Sequence, residues 1–150
     1  MAYFKGHPNK NRIKFDCRHF LGDRPCLFHK AEGVTCSDCG YYSPAGKRIL
    51  IIKLGAMGDV LRTTSILPAL GRHFKNLHVT WITRKESFDL LENNPFLDSI
   101  LETHVDSLAR LQIEAFDLVI NPETSKESAA LASMARGKRK KGFGLWVRRG

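Results

Sequence analysis

Ile49-Leu-Ile-Ile-Lys-Leu-Gly-Ala-Met-Gly-Asp-Val-Leu-Arg-Thr-Thr64 passes from branched apolar residues, across two glycines, to a carboxylate that opens a helical pattern. An apolar run from Arg48 to Leu54, broken at Gly55, predicts a strand buried on both faces. Val60, Leu67, Leu70 and Phe74 then share one face of a helix predicted over 59–74, which Pro68 should kink or split. In an open α/β sheet, ligands sit in the crevice beyond the carboxyl ends of the strands, where this turn falls. Gly55 and Gly58 would let a ligand approach the backbone, with Asp59 beside it. The local pattern leaves two readings of Asp59 open. It is either an N-cap accepting from the N–H of Leu61 or Arg62, or a carboxylate that acts on a substrate. Gly-Ala-Met-Gly lacks the three-glycine dinucleotide fingerprint, and no Lys-Ser/Thr follows as in a phosphate-binding P-loop.

Working outward, strands are predicted at 78–83, 97–101, 116–121 and 141–145. Helices are predicted at 85–92 (ended by Asn93-Asn94-Pro95), at 105–112, and at 125–136, where Gly137 stops an Ala-rich stretch. Alternating strands and helices predict a Rossmann-like parallel sheet with right-handed crossovers and flanking helices. No helix follows the last predicted strand, so an unpaired edge or uncovered face is expected there, as in a truncated fold.

The turn cluster Ser43-Pro-Ala-Gly46 separates a Cys-rich head, 1–46, from the α/β body, 47–150. With 43% hydrophobic residues in 150, the chain can bury a core, which excludes wholesale disorder. The net charge of +9 lies in the flanks. Residues 1–48 carry nine Lys/Arg against four acids, 49–135 eight against eleven, and 136–150 seven with no acid. A mildly acidic body argues against a basic nucleic-acid face. The run Arg136-Gly-Lys-Arg-Lys-Lys141 reads as a solvated approach to the last strand or as an anion patch. The N-terminus has no apolar signal core, so a cytoplasmic protein is expected.

In a reducing compartment, four cysteines within 23 residues suggest metal binding before disulfides. Cys17, Cys26, Cys36 and Cys39 follow the pattern C-x8-C-x9-C-x2-C, with His19 and His29 between them. The x2 pair suits two thiolates on one tetrahedral ion, although the first pair is spaced too widely for a regular zinc ribbon. Structural zinc, an Fe–S cluster and free thiols all remain open.

Taken in order, these elements resemble the N-terminal half of glycosyltransferase family 9, the ADP-heptose:lipopolysaccharide heptosyltransferases of bacteria. The matching residues are the 49–64 strand and Gly-Asp-Val turn, Trp81-Ile-Thr, Leu91-Glu-Asn-Asn-Pro-Phe-Leu-Asp-Ser-Ile-Leu101, Phe116-Asp-Leu-Val-Ile-Asn121 and Lys141-Gly-Phe-Gly144. The resemblance covers roughly 47–145 and implies one half of a GT-B fold. It also implies an inverting transfer, without a metal, of a sugar from a nucleotide-sugar donor such as ADP-heptose. The acceptor would be a hydroxyl of a lipopolysaccharide-core or other surface glycan.

The family's catalytic base maps onto Asp59, which would deprotonate the acceptor hydroxyl. Around it Lys53, Gly55, Gly58, Thr63 and Thr64 are candidate acceptor contacts. Lys53 reads equally as a snorkelling Lys, and the two Thr residues as back-bonded to their helix. Asn121 and Glu123 reach the same sheet edge, where a solvated loop acid is the plainer account of Glu123. The family's donor-binding half is not represented in these residues, so the 150-residue chain is expected to be inactive alone. In a glycolipid enzyme, basic flanks would favour peripheral contact with the inner face of the plasma membrane. A different class of function is a zinc-binding basic module, non-enzymatic, that binds nucleic acid or an anionic membrane.

Overall fold

A computed structural model describes residues 13–22 and 24–145. The chain forms two compact units, Met1–Ala45 and Gly46–Gly150.

In the second unit, five parallel strands form one sheet in the order β3-β2-β1-β4-β5. They are β1 (Arg48–Ile52), β2 (His78–Thr83), β3 (Ser99–Glu102), β4 (Ala115–Asn121) and β5 (Arg136–Gly142). Helices α2 (Met57–Thr63), α3 (Leu67–His73), α4 (Val105–Ile113) and α5 (Lys126–Met134) connect them, α1 belonging to the first unit. The parallel Rossmann-like sheet expected from the sequence is present.

Central β1 is enclosed on both faces, as its unbroken apolar run requires. Ile49 and Ile51 pack with Val60, Leu67, Val79 and Trp81, whereas Leu50 and Ile52 pack with Leu111, Phe116, Val119 and Leu131. Each of these four β1 side chains is at most 1% exposed. Burying an aliphatic side chain of this size contributes about 1.5–3 kcal/mol, so β1 anchors both layers.

Several elements differ from expectation. The single helix predicted over 59–74 is two helices joined by a 3-10 turn at Thr64–Ile66, with Pro68 in the first turn of α3. Pro68 there needs no hydrogen-bonded N–H and breaks the longer helix just before it. The helix predicted at 85–92 is a single 3-10 turn, Lys85–Ser87, followed by further turns. The last strand lies at Arg136–Gly142 instead of 141–145, so the basic run is itself β5.

That segment has no apolar pattern because it is an exposed edge, paired only with β4. Its identity comes from backbone pairing and close approach: a Cβ at Gly137 would lie 2.6 Å from Val119 Cγ2. Lys138 Nζ binds Asp117 at 2.8 Å, and Lys140 Nζ donates to the Ser133 carbonyl at 2.9 Å. Lysines on an edge strand discourage further strands from adding. Residues 143–145 of the expected 141–145 strand are not in a strand, and residues 146–150 lie outside the described ones.

In the first unit, α1 (Leu27–Glu32) is followed by Gly33 in the left-handed conformation at φ 69°, a glycine C-terminal stop. Phe28 stacks on Tyr41 with ring centroids 4.0 Å apart, and Tyr41 Oη donates to Glu32 Oε1 at 2.8 Å. None of the described residues 13–45 is buried. Cys17, Cys26, Cys36 and Cys39 are free and half-buried. Among the described residues no three His, Cys, Asp or Glu side chains are gathered to hold a metal ion, so the expected metal centre is not formed by these side chains as they stand. No helix of the described residues is long and apolar enough to cross a membrane.

Candidate functional site

Strand order reverses at β1: the chain leaves it for β2 on one side, and β4 pairs on the other. The carboxyl ends of β1 and β4 therefore flank the topological switch point of the sheet. The 53–56 turn and α2 follow β1 there, and Asn121 and Glu123 follow β4.

Glu123 joins these two segments across about 70 residues of sequence. Its Oε2 accepts from Leu54 N–H at 2.7 Å and Gly55 N–H at 3.4 Å, and lies 3.4 Å from Lys53 Nζ. The Glu123 and Lys53 side chains are only 13% and 11% exposed. Burial pushes the Glu123 carboxyl up, but the Leu54 N–H, the Lys53 charge and the Gly55 N–H outweigh it and hold the group below its ordinary value. The solvated-acid account of Glu123 is thus corrected: it is the clamp of the turn. Lys53 does not snorkel but is held by this carboxylate, while its carbonyl accepts from Trp81 Nε1 at 3.3 Å.

Glu123 is itself positioned. Its N–H donates to Asn121 Oδ1 at 3.2 Å, and its carbonyl accepts from Ser128 Oγ at 3.1 Å. Asn121, 1% exposed, donates through Nδ2 to Ser128 Oγ at 3.3 Å and to the Phe143 carbonyl at 2.8 Å. Ser125 caps α5 by accepting from Ser128 N–H at 3.1 Å. The β4–α5 turn is therefore tied down before it reaches β1. On the other side of the β1 turn, Arg84 N–H donates to the Leu54 carbonyl at 3.3 Å, and the Arg84 guanidinium binds Glu127 at 2.6 Å.

Asp59 stands within the first turn of α2, and Ala56 occupies the N-cap position without a side-chain bond. The capping reading of Asp59 is therefore not met: its carboxylate bonds Arg62 one turn on, and its side chain is 44% exposed. The Arg62 hydrogen bond and charge hold its carboxyl below the ordinary range against the opposing effect of burial, with a lesser contribution from the Lys53 ammonium. Asp59 is accordingly an accessible carboxylate, ionised at neutral pH.

Neither Gly55 nor Gly58 has a positive φ. A Cβ on Gly58 would meet nothing within 4 Å, and one on Gly55 only the Arg84 guanidinium at 3.6 Å. These glycines leave bare backbone beside Asp59 and do not serve a strained turn. Thr63 Oγ1 donates to the Asp59 carbonyl at 2.7 Å, and Thr64 Oγ1 to the Leu61 carbonyl at 2.6 Å. Both hydroxyls spend their protons on α2, as threonines inside helices commonly do. The loop, the Lys53–Glu123 pair and the first turn of α2 are thus brought together at the carboxyl ends of β1 and β4. The four cysteines belong to the other unit.

No protein-family model matches the chain. Over 110 residues it is 24% identical to the lipopolysaccharide core heptosyltransferase OpsX of Haemophilus influenzae, taking in 69% of this chain and 32% of that protein. The fold is shared with the E. coli heptosyltransferase WaaC solved with ADP, at a TM-score of 0.55 and 22% identity, over 63% of this chain and 34% of the other. A second WaaC structure, solved with ADP-2-deoxy-2-fluoro heptose, matches with TM-score 0.55 and 20% identity over 63% and 36%. A glycosyl transferase family 9 protein from Veillonella parvula matches with TM-score 0.57 and 23% identity over 68% and 33%. The chain spans about a third of the length of these relatives.

Proposed function

We propose, from the relationship of the α/β unit to the heptosyltransferases of glycosyltransferase family 9 over part of their length, that it is the acceptor side of a sugar transferase. The reaction is inverting transfer, without a metal, from a nucleotide-sugar donor of the ADP-heptose kind to a hydroxyl of a lipopolysaccharide-core glycan. The observation that carries this reading is the exposed carboxylate of Asp59 at the switch point of the sheet, beside backbone left bare by Gly55 and Gly58.

Asp59 takes the acceptor proton as the hydroxyl attacks the anomeric carbon and the nucleoside diphosphate leaves. Its depressed pKa keeps it ionised but lowers its basicity. An acceptor whose anionic groups draw away the 82%-exposed Arg62 side chain restores that basicity as the hydroxyl arrives. Lys53 and Glu123 hold the turn, so that Lys53 contributes positive charge beside the base without swinging free. Thr63 and Thr64 offer hydroxyl lone pairs to the acceptor. Donor contacts fall to a second Rossmann-like half, since the family's transfer needs both substrates held across one cleft. The setting we assign is the cytoplasm, at the inner face of the membrane that carries the acceptor.

The test is a transfer assay with ADP-heptose and a deacylated lipopolysaccharide-core acceptor, on a polypeptide joining this unit to a donor-binding half. Asp59→Asn should lower kcat about 10²–10⁴-fold with little change in acceptor KM. An unchanged kcat removes Asp59 from the role of base. Transfer by the 150-residue chain alone would show instead that the acceptor side suffices.

A further inference from the structure

The four thiols of the first unit come from three separate segments. Cys17 pairs with Pro44 in an isolated antiparallel bridge, and Cys26 precedes α1. Cys36 and Cys39 flank a turn in which Asp38 N–H donates to the Thr35 carbonyl at 3.1 Å. All four, together with His19 and His29, line one cavity of about 210 Å³. None forms a disulfide. Cys26 occupies the N-cap position of α1, yet its side chain makes no capping bond and is left for another use.

The unit also lacks what would otherwise hold such a chain together. No described residue from 13 to 45 is buried, and α1 has no buried side chain. Segments this short ordinarily need disulfides or a bound metal to keep one conformation. Disulfides are absent, and the four thiols, which line one cavity without being gathered around a point, have the chemistry of ligands to a tetrahedral thiophilic ion.

We propose that Cys17, Cys26, Cys36 and Cys39 turn inward around this cavity to hold one structural zinc-class ion, which takes the place of a hydrophobic core in the unit. Each thiol gives up its proton on ligation, and the sulfurs close to about 2.3 Å from the metal. Lys14 and Arg24 also line the cavity and offset the negative charge of a four-thiolate centre. The His19 ring is engaged edge-on with Phe28 at 4.9 Å, which makes it a wall of the site and leaves the thiols as ligands. This site has no part in the sugar-transfer reading and stands or falls apart from it.

The experiment is metal analysis of the purified full chain, prepared under reductant without added metal, followed by cobalt titration of the chelator-stripped protein. About one zinc per chain is expected, together with the intense thiolate-to-cobalt absorption of a tetrahedral site. Cys36→Ser/Cys39→Ser should lose the metal, while His19→Ala and His29→Ala should keep it. The cobalt spectrum of the unaltered chain reads the site even where the double variant fails to fold. A metal-free chain with four titratable thiols and no cobalt–thiolate absorption overturns the proposal. So does iron with sulfide in place of zinc, or loss of the metal in His19→Ala or His29→Ala.

Discussion

Ile49, Leu50, Ile51 and Ile52 are each at most 1% exposed, whereas no described residue between 13 and 45 is buried. The α/β unit has a strand at its centre with side chains packed on both faces, so its shape follows from removing apolar surface from water. The first unit has aromatic stacking, surface hydrogen bonds and four thiols around a cavity. Such contacts are individually small and poorly shielded from solvent. Under the metal-site proposal, a bound ion would stabilise a segment too short to build a core of its own. The difference teaches where each unit is vulnerable: the α/β unit to changes of volume, the first unit to changes of chemistry.

Urea unfolding of variants can break this comparison. The largest effect is expected from Ile51→Ala, which empties space between β1, Trp81 and the α2–α3 layer and should cost about 2–5 kcal/mol of global stability. A loss near zero would mean that β1 is not the anchor of the sheet. Glu123→Gln should cost about 1–3 kcal/mol, because Lys53 loses its charge partner and the Leu54 and Gly55 N–H groups lose a carboxylate acceptor. Hydrogen exchange should quicken at Leu54 and Gly55 in that variant, which a purely global effect would not single out.

The same carboxylate makes a pH prediction. Its folded pKa lies below that of the unfolded chain, so its contribution is complete above the ordinary glutamate range, about 4.3, and disappears as pH falls through the folded value. Urea midpoints measured from neutral pH downward should therefore fall more steeply in the unaltered protein than in Glu123→Gln. Parallel curves would assign the acid sensitivity elsewhere, Asp117, held below its usual range chiefly by Lys138, and Asp59 being the other carboxylates so placed. Ser125→Ala removes the cap of α5 and should cost about 1 kcal/mol. Smallest of all, Phe28→Ala should leave the unfolding midpoint of the α/β unit within about 0.5 kcal/mol, since that ring packs within the first unit. A larger shift would show that the two units unfold together.

Residue pattern alone located β1, β2 and β4 and the helices α4 and α5, because buried strands and amphipathic helices carry their environment in their own spacing. It also located the Gly55–Asp59 turn, because a glycine break after an apolar strand is a local event. It misplaced β5, whose residues are basic and exposed and which is a strand only because β4 offers it a ladder. It extended 85–92 into a helix that the structure replaces with a 3-10 turn and further turns, Leu91 being drawn into the β2 layer. It took Glu123 for a surface acid, since nothing near Glu123 in sequence announces the N–H groups of Leu54 and Gly55. A carboxylate pattern could not have found that role; only the strand order could.

Asp59 shows the division within one residue. That a carboxylate follows a strand and two glycines is written in 49–64, and so is its nearness to a sheet edge. Whether it caps the helix or stays open to a ligand depends on where α2 begins and on Arg62 one turn later. The cysteines divide in the same way: their spacing suggests metal binding without establishing it, while only the folded unit brings all four to one cavity, where no three metal-ligating side chains are gathered among the described residues. Periodicity and turn chemistry act between neighbours a few residues apart and can be read along the chain. Strand pairing, the Glu123 clamp and the meeting of the cysteines at one cavity join residues well beyond that reach, up to about 70 apart for the clamp, and those meetings exist only once the chain has folded.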